Sequence, residues 1–287
     1  MNSGYEKCAP DKKFNKGSCF SIESLKLIAT EYNKSNSKKL ININDNKKSM
    51  VTQLTNVFGK TCTETCWLTT DIVKKIKDEE IHTNTFRPKG PSTGYNWLST
   101  TNINNIINQY ENKYDDFVFL GALPNDFQEL PMLELSNINF DEFITDGKTK
   151  IGIVINLDTH DKSGSHWVAL YTDLIKNQIY YFDSLGHKPG PRIKNFNNKI
   201  LHYMYKKNYN KKLHIGNLLK NKTLLSKKLK NFDIRYNNIQ HQKGDSECGV
   251  YSVNFIIRIL NGESFDNIIK NITSDKKINE CRKVYFR

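Results

Sequence analysis

The chain is predicted to fold as an α+β domain behind a mostly helical arm. Three observations predict it. Three strand-like segments follow one another in the middle of the sequence, at 151–157, 166–173 and 178–183. Helical patterns lie on both sides of them. The run Arg87-Pro88-Lys89-Gly90-Pro91-Ser92 interrupts any regular element and marks a boundary. On this reading residues 1–85 form the arm and residues 86–287 form the core, a central mixed sheet flanked by helices.

In order along the chain, Ser21 can cap a helix whose apolar positions Ile22, Leu25 and Ile28 repeat every three residues. The polar stretch from Asn33 to Ser49 is expected to be a loop. Trp67-Leu68 and Ile72-Val73-Ile76 suggest a second helical stretch. After the break, WLSTTNINNIINQYENKY suits a helix through Ile103, Ile106 and Ile107, capped by Ser99 or Thr100. IGIVINL is apolar and β-branched, HWVALYTD alternates, and QIYYFD is aromatic and ends on an acid. Ile193 to Tyr205 is expected to be helical, and 232–240 a further strand. CGVYSVNFIIRIL, at 248–260, is a strongly apolar helix ended by Asn261-Gly262, and a charged helical tail follows.

Composition bounds the function. The 287 residues suffice for one large domain or one domain with an appendage. Apolar residues make up only 37%, yet 14 Tyr and 15 Phe remain to build a core. No apolar run approaches the ~20 residues of a membrane span. The first residues have no apolar segment of a secretory leader, which points to a reducing compartment. The six cysteines are Cys8, Cys19, Cys62, Cys66, Cys248 and Cys281. In such a compartment a disulfide framework is not expected. Cys62 and Cys66 have the spacing of a zinc half-site, but a second pair is missing. They are read as two partly buried thiols beside Trp67, and neither metal nor cofactor is expected. The net charge is +13, with basic pairs such as Lys47-Lys48, Lys206-Lys207, Lys211-Lys212 and Lys227-Lys228 scattered among Asn and Tyr. This allows non-specific contact with DNA, although a solvated surface explains it more simply.

Cys248 carries the chemical signal. In GDSECGVY a Gly- and Ser-containing loop meets a long apolar helix. A thiol at a helix N-terminus sits where unpaired N–H groups favour the thiolate. Gly249 lets a substrate approach the backbone closely. The thiol needs a proton acceptor, usually His. Of His82, His160, His166, His187, His202, His214 and His241, His166 opens a strand after Ser163-Gly164-Ser165. His241 competes because it is near Cys248 in sequence. Asp183, at the end of the next strand, can orient the imidazole of His166 if the strands pair to within one residue. Gln242, six residues before Cys248, can offer its amide to an oxyanion beside the Cys248 N–H. An acid in Asp-Ser-Leu-Gly or a Gln in a loop means little alone; the combination carries the weight.

The ordered set His166-Trp167, Asp183, Gln242 and Cys248-Gly249 resembles the clan of SUMO-specific and adenovirus-type cysteine proteases. SGSHWVALYTD, YYFDSLG and HQKGDSECGVYSVNFI match its pattern. Papain differs, since its Cys comes first. Within the clan the chain resembles the polyprotein-processing proteases of large cytoplasmic DNA viruses, of the African swine fever virus type. FDSLGHKPGP, RPKGP and the ending SDKKINECRKVYFR extend that resemblance. It implies a papain-like fold of the clan's type, with Cys248 as nucleophile, His166 as general base, Asp183 as orienter and Gln242 in the oxyanion hole. It also implies that Trp167, with Gly249 and Trp97, lines a narrow channel for polypeptides carrying Gly-Gly-type residues before the scissile bond. The swine fever enzyme has Asn where this chain has Asp183.

The expected activity is therefore an endopeptidase that matures viral structural polyproteins, working in the virion or the cytoplasmic viral factory. An isopeptidase removing ubiquitin-like modifiers from host proteins uses the same chemistry. An acetyltransferase on a related scaffold fits less well, because of Gln242. A basic, nucleic-acid-binding virion protein would not need all four catalytic residue types in order.

Overall fold

The computed structural model describes residues 7–213 and 229–287. His214, Lys227 and Lys228, counted above among the imidazoles and basic pairs, lie outside them. The chain divides into two compact units, Met1–Ser92 with Lys283–Arg287, and Thr93–Arg282. The division falls after Ser92 rather than at residue 85 because the intervening segment is tied to the first unit. Arg87 N–H donates to the Lys7 carbonyl at 2.7 Å, and Arg287 N–H to the Pro88 carbonyl at 3.1 Å.

The first unit is helical: α1 (Ile22–Ser35), α2 (Lys47–Phe58), α3 (Glu64–Trp67), α4 (Asp71–Lys74) and a π-helical turn at Glu80–Asn84. Ser21 caps α1 as expected, its hydroxyl accepting from Ser24 N–H at 3.0 Å. The loop expected up to Ser49 ends earlier, because the Asn46 side chain caps α2. Met50 and Leu54, four apart, bury the face of that helix. The core centres on Trp67, stacked with Phe58 at 5.4 Å and with Phe20 at 6.0 Å.

The cysteines of this unit correct the sequence reading. Cys8 is bonded to Cys19 and Cys62 to Cys66. They are neither free thiols nor half of a zinc site. The fold brings each pair of Cα atoms to 5.4 Å and 5.2 Å, within the reach of a disulfide. Cysteines eleven and four residues apart do not reveal this by spacing alone.

Among the described residues the second unit holds five strands: β1 (Phe117–Pro124), β2 (Lys150–Asn156), β3 (Trp167–Asp173), β4 (Gln178–Phe182) and β5 (Asp233–Tyr236). Its helices are α5 (Thr100–Glu111), α6 (Phe140–Thr145), α7 (Pro191–Tyr209), α8 (Cys248–Leu260), α9 (Phe265–Lys270) and α10 (Asp275–Glu280), and α11 (Arg282–Tyr285) opens on its last residue. The sheet order is β1-β2-β3-β4-β5. The outer pairs are parallel and the inner pairs antiparallel, so the sheet is mixed and the fold is α+β. The sequence reading missed β1, whose alternation is broken at Phe119–Ala122, where the register shifts. It also overextended β5. The chain leaves the sheet at Asn237, whose side chain turns to bond Asp183.

β3 is buried along its whole length, covered on both faces. On one face Val168, Leu170 and Tyr181 pack with Ile193, Phe196 and Ile200 of α7. On the other, Phe182 stacks on Phe255 of α8 at 4.9 Å. Ser99 caps α5 with a reciprocal bond from Asn102. Gly262, at φ +88°, takes the left-handed conformation that ends α8. Because α8 carries Cys248, its seating matters to the site. Phe255→Ala is expected to destabilise the second unit by about 3–5 kcal/mol. Urea denaturation followed by tyrosine and tryptophan fluorescence would measure this.

Candidate active site

The four predicted residues lie where β3 begins, where β4 ends, and at and just before the start of α8. His166 directly precedes β3, and Asp183 directly follows β4. The pairing of Ala169 with Phe182 fixes the register. His166 and Asp183 are therefore not directly opposite but offset by two residues on the same face, within the diagonal reach of long side chains. His166 Nε2 donates to Asp183 Oδ1 at 2.7 Å. The other ring nitrogen is left for Cys248, whose interaction with the imidazole helps to raise the His166 pKa. Asp183 is fully buried, and its Oδ1 accepts a second bond from Leu185 N–H at 2.8 Å.

Cys248 is the first residue of α8, 2% exposed, and the helix has no side-chain cap. The first N–H groups of α8 thus lack the side-chain acceptor that would otherwise claim them. Gln242 is buried in the loop leading to it. Its Oε1 accepts from Ser184 Oγ at 2.7 Å, and one Nε2 hydrogen goes to the Gly244 carbonyl at 2.7 Å. An amide nitrogen carries two hydrogens, so one remains. His241, the competing imidazole, is packed edge-on against Phe182 and Tyr251. Burial pulls its pKa down, and it belongs to the core.

Burial alone would disfavour the charged imidazole of His166. The interactions with Asp183 and Cys248 outweigh it and push its pKa up to about 9. At neutral pH His166 therefore holds a proton ready to give.

A cleft of about 510 Å³ reaches Trp167, the residue after His166, and is lined also by Trp97, Leu98, Ala122, Asn156 and His160 among others. Trp167 is fixed by its indole N–H, which donates to the Leu98 carbonyl at 3.0 Å. At Gly249 a Cβ would meet Leu98 Cβ at 3.0 Å and Trp167 Cδ1 at 3.3 Å. Of the three predicted substrate-contact residues, Trp97 and Trp167 line this cleft, while Gly249 is buried behind Leu98 and Trp167.

The pattern of the Ulp1 protease family, C-terminal catalytic domain, matches residues 139–286, half of the chain. A protein of Acanthamoeba polyphaga mimivirus named as a thiol protease is 37% identical, covering 98% of this chain and 93% of its own length. The chain belongs to the Ulp1 protease family. It is a cysteine protease. The SUMO-1 cysteine protease of African swine fever virus is 23% identical over 78% of this chain and 82% of its own. The crystal structure of an African swine fever virus protease shares the fold, with a TM-score of 0.61 at 20% identity, covering 100% of this chain and 97% of that one.

In this Ulp1-family protease the sequence reading missed the residues that hold the site together. Ser184 is buried, and besides gripping Gln242 it accepts the N–H groups of His241 and Gln242 at its carbonyl. Asn237 binds the backbone of Asp183 on both sides, at 2.8 and 2.6 Å. Leu98 anchors Trp167 through its backbone. Only Ser184, adjacent to Asp183, carried a local signal.

The raised His166 pKa also links the protease's stability to pH. The folded chain holds this proton more tightly than an unfolded chain with a pKa of 6.5. The stabilisation is complete below about pH 6.5 and is lost as pH rises toward about 9. Unfolding free energies from urea titrations at pH 6 and pH 9.5 are expected to differ by a loss on the order of 1–3 kcal/mol at the higher pH. Asp183→Asn should shrink that difference, and an equal drop in both proteins would contradict the linkage.

Proposed function

We propose that the protease is an endopeptidase cleaving after Gly-Gly-like sequences, and that it matures viral structural polyproteins in the assembling virion or cytoplasmic viral factory. Cys248 is the nucleophile. Its thiolate attacks the scissile carbonyl carbon, and the developing oxyanion is met by the Cys248 N–H and the second Nε2 hydrogen of Gln242. His166, oriented by Asp183, gives its proton to the leaving amine. A water then enters, His166 takes one of its protons, and the thioester is hydrolysed. Trp97 and Trp167 bound the path of the substrate, and Gly249 lies behind Trp167.

The observation that carries the specificity is the close approach at Gly249. A single added methyl group there would press on both Leu98 and Trp167. Leu98 and Trp167 line the cleft and pack directly on the α8 backbone beside Cys248, and on this reading they narrow it there, which favours glycine in the residues before the scissile bond. A peptide panel tests it. Replacing either glycine of a Gly-Gly substrate by leucine is expected to lower kcat/KM on the order of 100-fold. Equal turnover of both would remove the proposed specificity.

A second reading is supported by the name of the swine fever relative, a SUMO-1 cysteine protease. Removal of a ubiquitin-like modifier ending in Gly-Gly needs the same cleft. Incubating the protease and its Cys248→Ala variant with virion polyproteins and with SUMO and ubiquitin conjugates separates the two by what is cut. Non-specific DNA contact through the +13 net charge completes the proposal, and retention on DNA that falls steeply with salt would support it.

A further inference from the structure

The two proposed oxyanion donors lie at the ends of one loop, from Gln242 to Cys248. The loop's first residue is pinned by Ser184. The rest is held by side chains from α10 and the residue that opens α11. Asp275 Oδ2 accepts the N–H groups of Lys243 and Gly244 at 3.0 and 2.9 Å. Its other oxygen, Oδ1, accepts from the Tyr251 hydroxyl at 2.8 Å, one turn into α8. One carboxylate therefore joins the loop to the helix that carries the nucleophile. Farther along, Asn279 Nδ2 donates to Glu247 Oε1 at 2.9 Å, and Asn279 Oδ1 accepts from Arg282 Nε at 2.7 Å.

Positions 275, 279 and 282 follow helical spacing along one side of this segment. The charges behind the loop are deeply buried. Arg282 is fully buried and Glu247 is 3% exposed. Glu247 grips the loop from within, accepting the Ser246 N–H at 3.0 Å and its hydroxyl at 3.1 Å. Its carboxylate sits on Gly244, where a Cβ would come within 2.8 Å of Oε2. Gly244 is also the residue whose carbonyl holds Gln242. Burial pulls Arg282 down, while the charges of Glu247 and Cys248 oppose that pull.

We propose that Asp275 and Asn279, backed by Arg282, are positioning residues for acyl transfer: they clamp the Gln242–Cys248 loop so that the side-chain amide and the backbone N–H meet one oxyanion. The clamp rests on the reading of Gln242 and Cys248 above. Its consequence is specific. Loosening it should impair a reaction that builds charge on a carbonyl oxygen and spare one that does not.

The test compares the full-length protease with Asp275→Ala, Asp275→Asn, Gln242→Ala and the Asp275→Ala/Gln242→Ala double variant. Each is assayed for kcat and KM on a Gly-Gly peptide and for the rate at which iodoacetamide alkylates Cys248. Alkylation displaces iodide at a saturated carbon and forms no oxyanion. Asp275→Ala is expected to lower kcat about 10–100-fold, with KM and alkylation changed less than about threefold. Asp275→Asn keeps one oxygen for the two loop N–H groups and an amide toward Tyr251, so kcat should recover to within about fivefold of native. On the Gln242→Ala background, Asp275→Ala should add less than about threefold, because the donor it positions is gone. Equal losses in kcat and alkylation, unchanged kcat, or full additivity would overturn the clamp. Should Asp275→Ala fail to fold, Asn279→Ala must give the same split between kcat and alkylation. If Gln242→Ala lowers kcat and Asp275→Ala does not, the clamp alone falls. If Gln242→Ala leaves kcat intact, the oxyanion assignment falls and the clamp with it.

Discussion

Cys248→Ala is expected to abolish peptide cleavage, a loss on the order of 10⁵–10⁶ in kcat, while the protein remains folded. The reason is the absence of any substitute. Without sulfur no thioester forms, and His166 has no nucleophile to serve. The change removes one buried atom from the first turn of α8, so the structural cost is small beside the catalytic one. A Gly-Gly peptide carrying a vinyl sulfone should label the native protease at a single thiol and leave Cys248→Ala unlabelled. The structure narrows the competitors. Four of the six cysteines are in disulfides, so Cys281 is the remaining thiol that could react instead. Labelling mapped to Cys281, or ordinary turnover by Cys248→Ala, would sink the assignment.

Asp183→Ala is expected to lower kcat/KM on the order of 10³–10⁴-fold and to move the alkaline limb of its pH profile. In the native protease the proton on His166 must survive until the amine leaves. That limb should therefore lie near pH 9. Asp183 supplies the largest of the favourable contributions that hold the proton there. Removing it lowers the His166 pKa, so activity should begin to fail at lower pH, toward the ordinary value of 6.5. Asp183→Asn keeps an oxygen for the Nε2–H but loses the charge, and its limb should fall between the two. A pH–kcat/KM profile of the three proteins measures this directly. A limb that stays in place in Asp183→Ala would mean that His166 is not the proton donor.

Local signals determined a large part of this protein. The alternation and β-branching of 151–157, 166–173 and 178–183 marked β2, β3 and β4 because a strand buried on both faces must be apolar along its length. The apolar run after Cys248, and Asn261-Gly262 at its end, marked α8. The order His166, Asp183, Gln242, Cys248 is itself a linear property, and it distinguished this clan from papain before any coordinate was known.

Tertiary structure decided the rest. Whether Cys62 and Cys66 form a disulfide or a half-site depends on how close α3 and the preceding turn bring them, and sequence separation does not contain that distance. β1 was hidden because its register shifts where the alternation should have continued. His166 meets Asp183 on a diagonal, an offset set by the pairing of β3 with β4. Ser184, Asn237, Leu98 and Asp275 bond site partners between 24 and 69 residues away. The residues that perform chemistry must be of particular types, and type is written in the sequence. The residues that hold them need only offer a hydrogen bond at the right point in space, and that point exists only once the chain has folded.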